Sequence, residues 1–183
     1  MEEKARMRKE TIEQLLAFPS GKRRGIETTL YQQLIETTLY KNSKVIGITV
    51  SHAHEWETRH IIQRAISDGK HVCVPLCLTE TKTLDFYYLT SFDQLSVGHF
   101  QLLEPNPTVM PKADLADVDL LIVPGVVFDT AHYRIGHGGG YYDRLLEKFS
   151  GRTVSLLHES QCVDRIPVEV HDQPVERLII ARN

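Results

Sequence analysis

The chain has 183 residues, of which 42% are hydrophobic and 25% are charged, a balance that excludes a chain disordered throughout. No apolar run approaches the roughly 20 residues that span a bilayer, and the net charge of -3 argues against general nucleic-acid binding. Because the N-terminus is charged from Glu2 onward and carries no signal-peptide pattern, we expect one cytoplasmic domain over residues 1–183, with no membrane or nucleic-acid partner.

Apolar periodicity and helix-breaking residues predict the secondary structure. In chain order, the pattern predicts helices at 3–17 and 24–40, a strand at 45–50, a helix at 55–67, strands at 72–78, 84–89 and 120–123, a helix at 141–149 and strands at 154–157 and 178–181. The first two helices form a helical hairpin around Pro19 and Gly21, while residues 91–111 and 125–140 are predicted to be irregular. The alternation of strands and helices predicts a three-layer α/β/α fold with a mainly parallel sheet.

A glycine-rich run follows the strand at 120–123. It reads Arg134-Ile135-Gly136-His137-Gly138-Gly139-Gly140-Tyr141-Tyr142-Asp143-Arg144. Glycines let backbone N–H groups converge on an anion, and a helix N-terminus after them favours negative charge. The run matches neither the Walker motif nor the dinucleotide-binding fingerprint. We therefore interpret it as a different phosphate-binding loop, with a simple flexible turn as the alternative.

Two basic residues of the first helix point toward the same chemistry. Lys4 and Arg8 lie one helical turn apart, on a row that continues into the apolar Ile12. This row directs them inward, where charged groups need an anionic partner. Snorkelling, or pairing with a neighbouring acid such as Glu13, is the alternative.

Three carboxylates are candidates for ligand or metal binding. Asp143 opens the helix after the glycines, where it either caps the helix or binds Mg²⁺, with Asp172 as the best second carboxylate. Glu57 follows the first strand and either faces a ligand or is an ordinary first-turn acid. The nine histidines lack the spacing of a zinc-binding helix, so no metal is assigned to them.

The long signature around the glycines resembles that of the 5-formyltetrahydrofolate cyclo-ligases, also called methenyltetrahydrofolate synthetases. It begins with Val123-Pro124-Gly125-Val126-Val127-Phe128-Asp129 and continues through the glycine-rich run. The other pieces that follow the family's order are Lys4 to Arg8, Glu57-Thr58, Ile166-Pro167-Val168 and His171-Asp172, so the resemblance covers essentially the whole chain. It implies ATP- and Mg²⁺-dependent conversion of 5-formyltetrahydrofolate to 5,10-methenyltetrahydrofolate, with release of ADP and phosphate. The implied route is phosphorylation of the formyl oxygen, then ring closure by N10.

The same resemblance implies a role for each matching residue. ATP would be held by Lys4, Ala5, Arg6, Met7, Arg8, Arg134, Ile135, Gly136, His137, Gly138, Gly139, Gly140, Tyr141 and Tyr142. Lys4, Arg134 and Tyr141 would be catalytic, and Asp143 and Asp172 would bind Mg²⁺. His52, Glu57 and Tyr141 would contact the folate. The partners would be small molecules, bound by a monomer or weak homo-oligomer.

Two other functions stay open at this point. His52 stands where the family usually has an apolar residue, which leaves room for a paralogue that acts on another one-carbon or thiamine-related substrate. A non-catalytic folate- or anion-binding regulator is the second alternative. The presence of both Asp143 and Asp172 argues against it, because simple anion binding needs no metal carboxylates.

Overall fold

A computed structural model of the chain describes residues 2–182. Its helices are α1 (Glu2–Leu16), α2 (Ser20–Glu36), α3 (Thr38–Asn42), α4 (Arg59–Ser67) and α5 (Tyr141–Leu146). Its strands are β1 (Val45–Ile48), β2 (His71–Leu78), β3 (Thr83–Leu89), β4 (Leu95–Val97), β5 (Leu103–Pro105), β6 (Lys112–Ala113), β7 (Leu120–Ile122), β8 (Val127–Asp129), β9 (Arg134–Ile135), β10 (Arg152–His158), β11 (Cys162–Val163) and β12 (Arg177–Ala181).

Seven strands form the main sheet, in the order β12-β10-β7-β1-β2-β3-β6. The five strands from β12 to β2 pair in parallel, whereas β3 pairs antiparallel with both β2 and β6. This confirms the predicted mainly parallel sheet. The strands that the sequence predicted are rich in buried β-branched and leucine side chains. Such side chains pack well on a sheet that is covered on both faces.

Helices cover both faces of this sheet. On one face, Ile46 of β1 lies in a core cluster with Leu30 of α2 and Ile62 of α4. On the other face, Leu121 of β7 packs in a cluster with Leu145 of α5. Because successive strand residues point to opposite faces, β1, β2, β3, β7 and β12 contribute to both clusters. The predicted three-layer α/β/α arrangement, with helices at the N-terminus, is confirmed.

A second, small sheet has the order β11-β8-β9 and supports the site. Its strands β8 and β9 lie in the connection 125–140 that the sequence predicted to be irregular. Its core includes Val127 and Ile135, against which Met7 and Ile12 of α1 pack. The buried Asp129 carboxylate accepts hydrogen bonds from backbone N–H groups at the turn and from Ile166, which fixes the β8–β9 hairpin.

Several element boundaries differ from the prediction. Helix α2 begins directly after Pro19 and ends at Glu36, because Thr37 is extended and caps the separate helix α3. Helix α4 starts at Arg59 rather than at residue 55, and α5 ends at Leu146 rather than at residue 149. The segment 91–111 contains the β4–β5 hairpin. These differences place residues 49–58 in a loop rather than a helix.

The strand order locates a crevice. Strands β1 and β7 are neighbours, and the connection after β1 leads to β2 on one side whereas the connection after β7 leads to β10 on the other, so the chain leaves their carboxyl ends in opposite directions. Open α/β sheets bind ligands at such a point, outside the carboxyl ends of the strands. Here the loop after β1, the connection after β7 and α1 meet. Among residues 2–182, no helix is long and apolar enough to cross a membrane.

Candidate active site

The glycine loop, residues 136–140, is shaped by backbone conformations that favour glycine. Gly138 and Gly140 have φ values of +98° and +67°, in the left-handed region. At Gly139, a Cβ atom would lie 2.6 Å from the ring of Tyr141, so only glycine fits beneath that ring. Gly140 precedes α5, but this helix has six residues, so the dipole expected from a longer helix is weak. Any anion seat therefore depends mainly on loop N–H groups and nearby cations.

Helix α1 brings one of its predicted residues, Arg8, to this loop. The Arg8 Nε donates a 2.6 Å hydrogen bond to the carbonyl of Gly136. A Cβ atom on Gly138 would lie 3.4 Å from Nη2 of the same arginine. Arg8 therefore contacts the glycine loop instead of extending into solvent. Arg6 instead faces solvent and pairs with Glu10, and Met7 packs against the small sheet.

Lys4 is held by the segment before β12. Its Nζ lies 2.5 Å from the Asp172 carboxylate and 3.2 Å from Glu169. Burial alone would lower the pKa of Lys4, but hydrogen bonds to these two acids outweigh it and raise the pKa. Burial would likewise raise the pKa of Asp172, yet its bond from Lys4 and that from the Glu169 N–H lower it. Both groups are therefore charged at neutral pH.

Arg134 is the most buried basic residue of the site, with a side chain only 3% exposed. Its Nη1 donates 3.0 Å hydrogen bonds to Oδ1 of Asp143 and to the carbonyl of Gln173. Within residues 2–182, its Nε has no hydrogen-bond partner although it is buried. A buried donor left unpaired costs about 1–3 kcal/mol, so a bound ligand oxygen or a water molecule is expected here.

The two predicted metal carboxylates lie in one neighbourhood. Asp143 also accepts a 3.3 Å hydrogen bond from the N–H of Gln173, the residue that follows Asp172. Asp143 uses Oδ1 and Asp172 uses Oδ2 for their hydrogen bonds, and in the described part of the chain the other oxygen of each makes none. Two hard oxygen atoms suit Mg²⁺, which often takes one or two carboxylates together with substrate phosphates. The side chains of Glu169 and His171 extend this group of potential ligands, with atoms within 4.8 Å of one another and of Asp172.

The loop after β1 contains two glutamates with different surroundings. Glu57 accepts hydrogen bonds from the Ser51 hydroxyl and the Arg59 N–H, and so caps the start of α4. Glu55 accepts one from the His52 N–H, and burial raises the pKa of its carboxyl. The charge of Glu55 acts on Tyr142. Burial, and next the Glu55 charge, raise the pKa of that tyrosine.

The hydroxyl of Tyr142 is a second buried polar atom with no partner among residues 2–182. The rest of its side chain packs in the core cluster beneath the loop. Tyr141 is half-buried and lies against Gly139. His52 is exposed, on the same loop as Glu55, so the structure places it at the rim of the crevice.

Comparison with known proteins identifies the family. A family model described as the 5-formyltetrahydrofolate cyclo-ligase family matches residues 1–181. The chain is a member of the 5-formyltetrahydrofolate cyclo-ligase family. The 5-formyltetrahydrofolate cyclo-ligase of Mus musculus is 28% identical over 184 residues, covering 94% of this chain and 91% of the mouse protein. The cyclo-ligase of Escherichia coli is 29% identical over 138 residues, covering 73% and 76%.

A solved structure agrees with this assignment. The NMR structure of the 5,10-methenyltetrahydrofolate synthetase of Aquifex aeolicus superposes with a TM-score of 0.84 at 28% identity, covering 97% of this chain and 89% of that one. The synthetase of Mycoplasma pneumoniae, at 18% identity and a TM-score of 0.77, shares the fold. The predicted family is confirmed, and with it the prediction that the chain is an enzyme, a cyclo-ligase.

Some residues of this cyclo-ligase site were not foreseen. The sequence singled out Glu57, and it did not predict Glu55, although burial raises the pKa of the Glu55 carboxyl. Arg23 of α2 was also missed: it donates to the Glu55 carbonyl and stacks on Trp56, 4.9 Å from the ring centroid. The two glutamates are two residues apart in an irregular loop, so only the path of the loop decides the surroundings of each carboxyl. A cation beside Trp56 left no signal in the sequence.

Proposed function

We propose that the chain converts 5-formyltetrahydrofolate to 5,10-methenyltetrahydrofolate and consumes ATP, with Mg²⁺, to ADP and phosphate. Family membership supports the overall reaction. The observation that carries the nucleotide site is the contact between Arg8 of α1 and the glycine loop at the carboxyl ends of the parallel strands. Phosphoryl transfer asks for positioning and charge neutralisation, which this convergence of cations and loop N–H groups supplies.

In this proposal the triphosphate lies along the glycine loop. Arg8 and Lys4 approach from α1, and the unpaired Nε of buried Arg134 receives a ligand oxygen. Loop residues of the nucleotide site act through their backbone, because glycine offers no side chain. Ala5 and Arg6 are exposed on α1, so any contact they make with the nucleotide lies at its outer edge.

Asp143 and Asp172 would hold Mg²⁺ through their oxygens that are free of protein hydrogen bonds. When bound, the ion would neutralise negative charge on the phosphates. Lys4 competes with the ion for Asp172, so we expect its ammonium to move toward the phosphates as the ion binds. Arg134 keeps the Asp143 carboxylate oriented through their 3.0 Å ion pair.

The folate would lie against the loop after β1 and Tyr141. The formyl oxygen attacks the γ-phosphorus of ATP, and the bond to the ADP oxygen breaks. N10 of the folate then attacks the activated formyl carbon, the carbon–oxygen bond breaks, and the oxygen leaves within phosphate. N10 loses its proton in this step. Glu55 suits the role of proton acceptor, because its raised pKa makes it a stronger base than an ordinary carboxylate.

The test is whether product formation requires all three components. Purified protein is mixed with 5-formyltetrahydrofolate, ATP and Mg²⁺, and the conjugated absorbance of the methenyl product is followed while each component is omitted in turn. Product that needs all three supports the proposal. Absence of product from a folded protein that still binds Mg-ATP would overturn it and favour another substrate.

A further inference from the structure

Two histidines face each other between the two halves of the proposed site. His54 lies in the loop after β1 and His137 lies in the glycine loop, 83 positions later. Their Nε2 atoms are 3.1 Å apart, and their ring centroids are 5.1 Å apart with planes inclined at 42°. This is hydrogen-bond distance, so one ring donates its N–H to the other.

Each loop has its own support, so the histidine contact joins two separately anchored parts. The loop after β1 is tied to α2, where Arg23 donates to the Glu55 carbonyl. The glycine loop is tied to α1, where Arg8 donates to the Gly136 carbonyl. The first loop is the proposed folate side and the second is the proposed nucleotide side. A contact between them therefore lies where it would couple the binding of one substrate to the binding of the other.

The backbone is strained at Ala53, the residue before His54. Ala53 has a φ of +50°, in the left-handed region that costs a non-glycine residue about 1–2 kcal/mol. Such strain persists only where surrounding interactions hold it. The turn that contains Ala53 is closed by hydrogen bonds from the His52 N–H to the Glu55 carboxylate and from the Glu55 N–H to the His52 carbonyl, and it presents His54 to His137.

The electrostatic surroundings keep both rings neutral. Burial, then the charges of His137, Arg23 and His52, lowers the pKa of His54 to about 4. Burial, then the charges of Arg8 and His52, lowers the pKa of His137. A neutral pair can share one N–H, whereas two protonated rings would repel each other. The same arginines disfavour a bridging metal cation, so the hydrogen bond is the better account of the pair.

We propose that the hydrogen bond between His54 and His137 is a latch that couples the nucleotide loop to the folate loop, so that each substrate strengthens binding of the other. Binding of nucleotide would order the glycine loop and, through His137, hold the folate loop in its binding conformation. The inference rests on the proposed function, because it assigns one substrate to each loop. His54 is a positioning residue here and contacts neither substrate.

The test measures coupling rather than activity alone. The dissociation constant of a non-hydrolysable ATP analogue with Mg²⁺ is determined by calorimetry, with and without saturating 5-formyltetrahydrofolate. A single neutral hydrogen bond predicts a coupling factor of about five in the wild type. In His54→Asn the amide falls short of His137, so the factor should approach one. In His54→Gln the amide nitrogen reaches the place of Nε2, so coupling should be restored.

His60→Phe is the matched control, since His60 is exposed on α4 and, within residues 2–182, forms no hydrogen bond or ion pair with either loop; its coupling should equal that of the wild type. The latch is overturned if the wild type shows no coupling, or if His54→Asn keeps it. If His54→Asn folds poorly, ¹⁵N NMR of the wild-type imidazole rings provides the test. A latch requires that one of the two Nε2 atoms carries a proton and that the other carries none. It is overturned if both Nε2 signals are those of a solvent-exposed tautomer mixture. Failure of the proposed function is distinct, because it shows as absent methenyl product in the wild type.

Discussion

At the scale of single residues, the site is built from charged groups whose partners come from distant parts of the chain. Lys4 meets Asp172, Arg8 meets Gly136, and Arg134 meets Asp143. Each pairing satisfies a charge that would be costly in the crevice alone. Among residues 2–182, one oxygen of each aspartate and the buried Nε of Arg134 have no hydrogen-bond partner. The arrangement is therefore stable without ligand and still open to one.

The two glutamates of the folate loop give the sharpest test of a residue role. Glu55→Gln removes a half-buried base and should lower kcat/KM for 5-formyltetrahydrofolate by about 100-fold or more. Glu57→Gln keeps an oxygen that accepts from Ser51 and Arg59, so a change below about tenfold is expected. Steady-state kinetics with each substrate varied measures both. The reverse ranking would return the folate role to Glu57, as the sequence first indicated.

The ion pair of Lys4 and Asp172 should make stability depend on pH. The pKa of Asp172 is lowered, so its contribution is present above the unfolded pKa of about 3.9 and is lost as pH falls through the folded value. The pKa of Lys4 is raised, so its contribution is present below about pH 10.4 and is lost as pH rises through its folded value. Lys4→Met should therefore reduce the free energy of unfolding by about 1–2 kcal/mol at pH 7, and by less at pH 3.

Urea denaturation of the wild type and Lys4→Met across this pH range measures the difference. Arg6→Met is the control, because it breaks an exposed pair with Glu10 in the same helix and should cost below about 0.5 kcal/mol at any of these pH values. A Lys4→Met effect that stays constant from pH 7 to pH 3 would contradict the ion-pair account.

At the scale of elements, local patterns located the long helices and strands but not their ends. Pro19 and Gly21 suggested a break that extends to residue 23, yet α2 starts at Ser20, because a helix tolerates both residues around its first turn. The β8–β9 hairpin was missed because its short strands pair only with each other and with β11, and the hairpin is fixed by Asp129 and a distant Ile166. Short, non-local pairings carry little periodicity.

Two glycines show how backbone conformation decides whether a substitution by alanine stabilises or destabilises the protein. Gly25 lies inside α2, where an added Cβ atom would have no neighbour within 4 Å, so Gly25→Ala should stabilise the protein by about 0.5–1 kcal/mol. Gly140 precedes α5 with a φ of +67°, so Gly140→Ala should destabilise it by about 1–2 kcal/mol. Thermal unfolding followed by circular dichroism compares the pair. Equal shifts of the same sign would refute the left-handed conformation at Gly140.

At the scale of the whole molecule, the proposed ligand site lies at the carboxyl ends of the parallel strands and purely structural contacts lie at their amino ends. At the amino ends of β1 and β7, the Asp119 carboxylate accepts the N–H groups of Lys44 and Val45. At the carboxyl ends, α1, the glycine loop and the segment before β12 converge through side chains. Parallel strands make this separation unavoidable, because all their carboxyl ends share one edge.

Hydrogen exchange should reveal that separation. With Mg²⁺ and a non-hydrolysable ATP analogue, amides at residues 2–9, 136–143 and 169–173 should exchange more slowly, on the order of tenfold. Residues 38–44 and 117–119, at the opposite end of the sheet, should not change. Uniform slowing at both ends would indicate global stabilisation rather than a nucleotide held by the three converging segments.

The sequence by itself determined the family and the α/β class, and it predicted that the glycine loop binds phosphate. These follow from local signals: a contiguous run of glycines between arginines, apolar periodicity, and the order of motifs along the chain. Only the tertiary structure decided that the Glu55 carboxyl is buried enough to raise its pKa, that Gln173 links Asp143 to the turn of Asp172, and that His54 meets His137. The physical reason is that side-chain direction in an irregular loop, and contact between residues far apart in the chain, depend on how the elements pack, which no local pattern encodes.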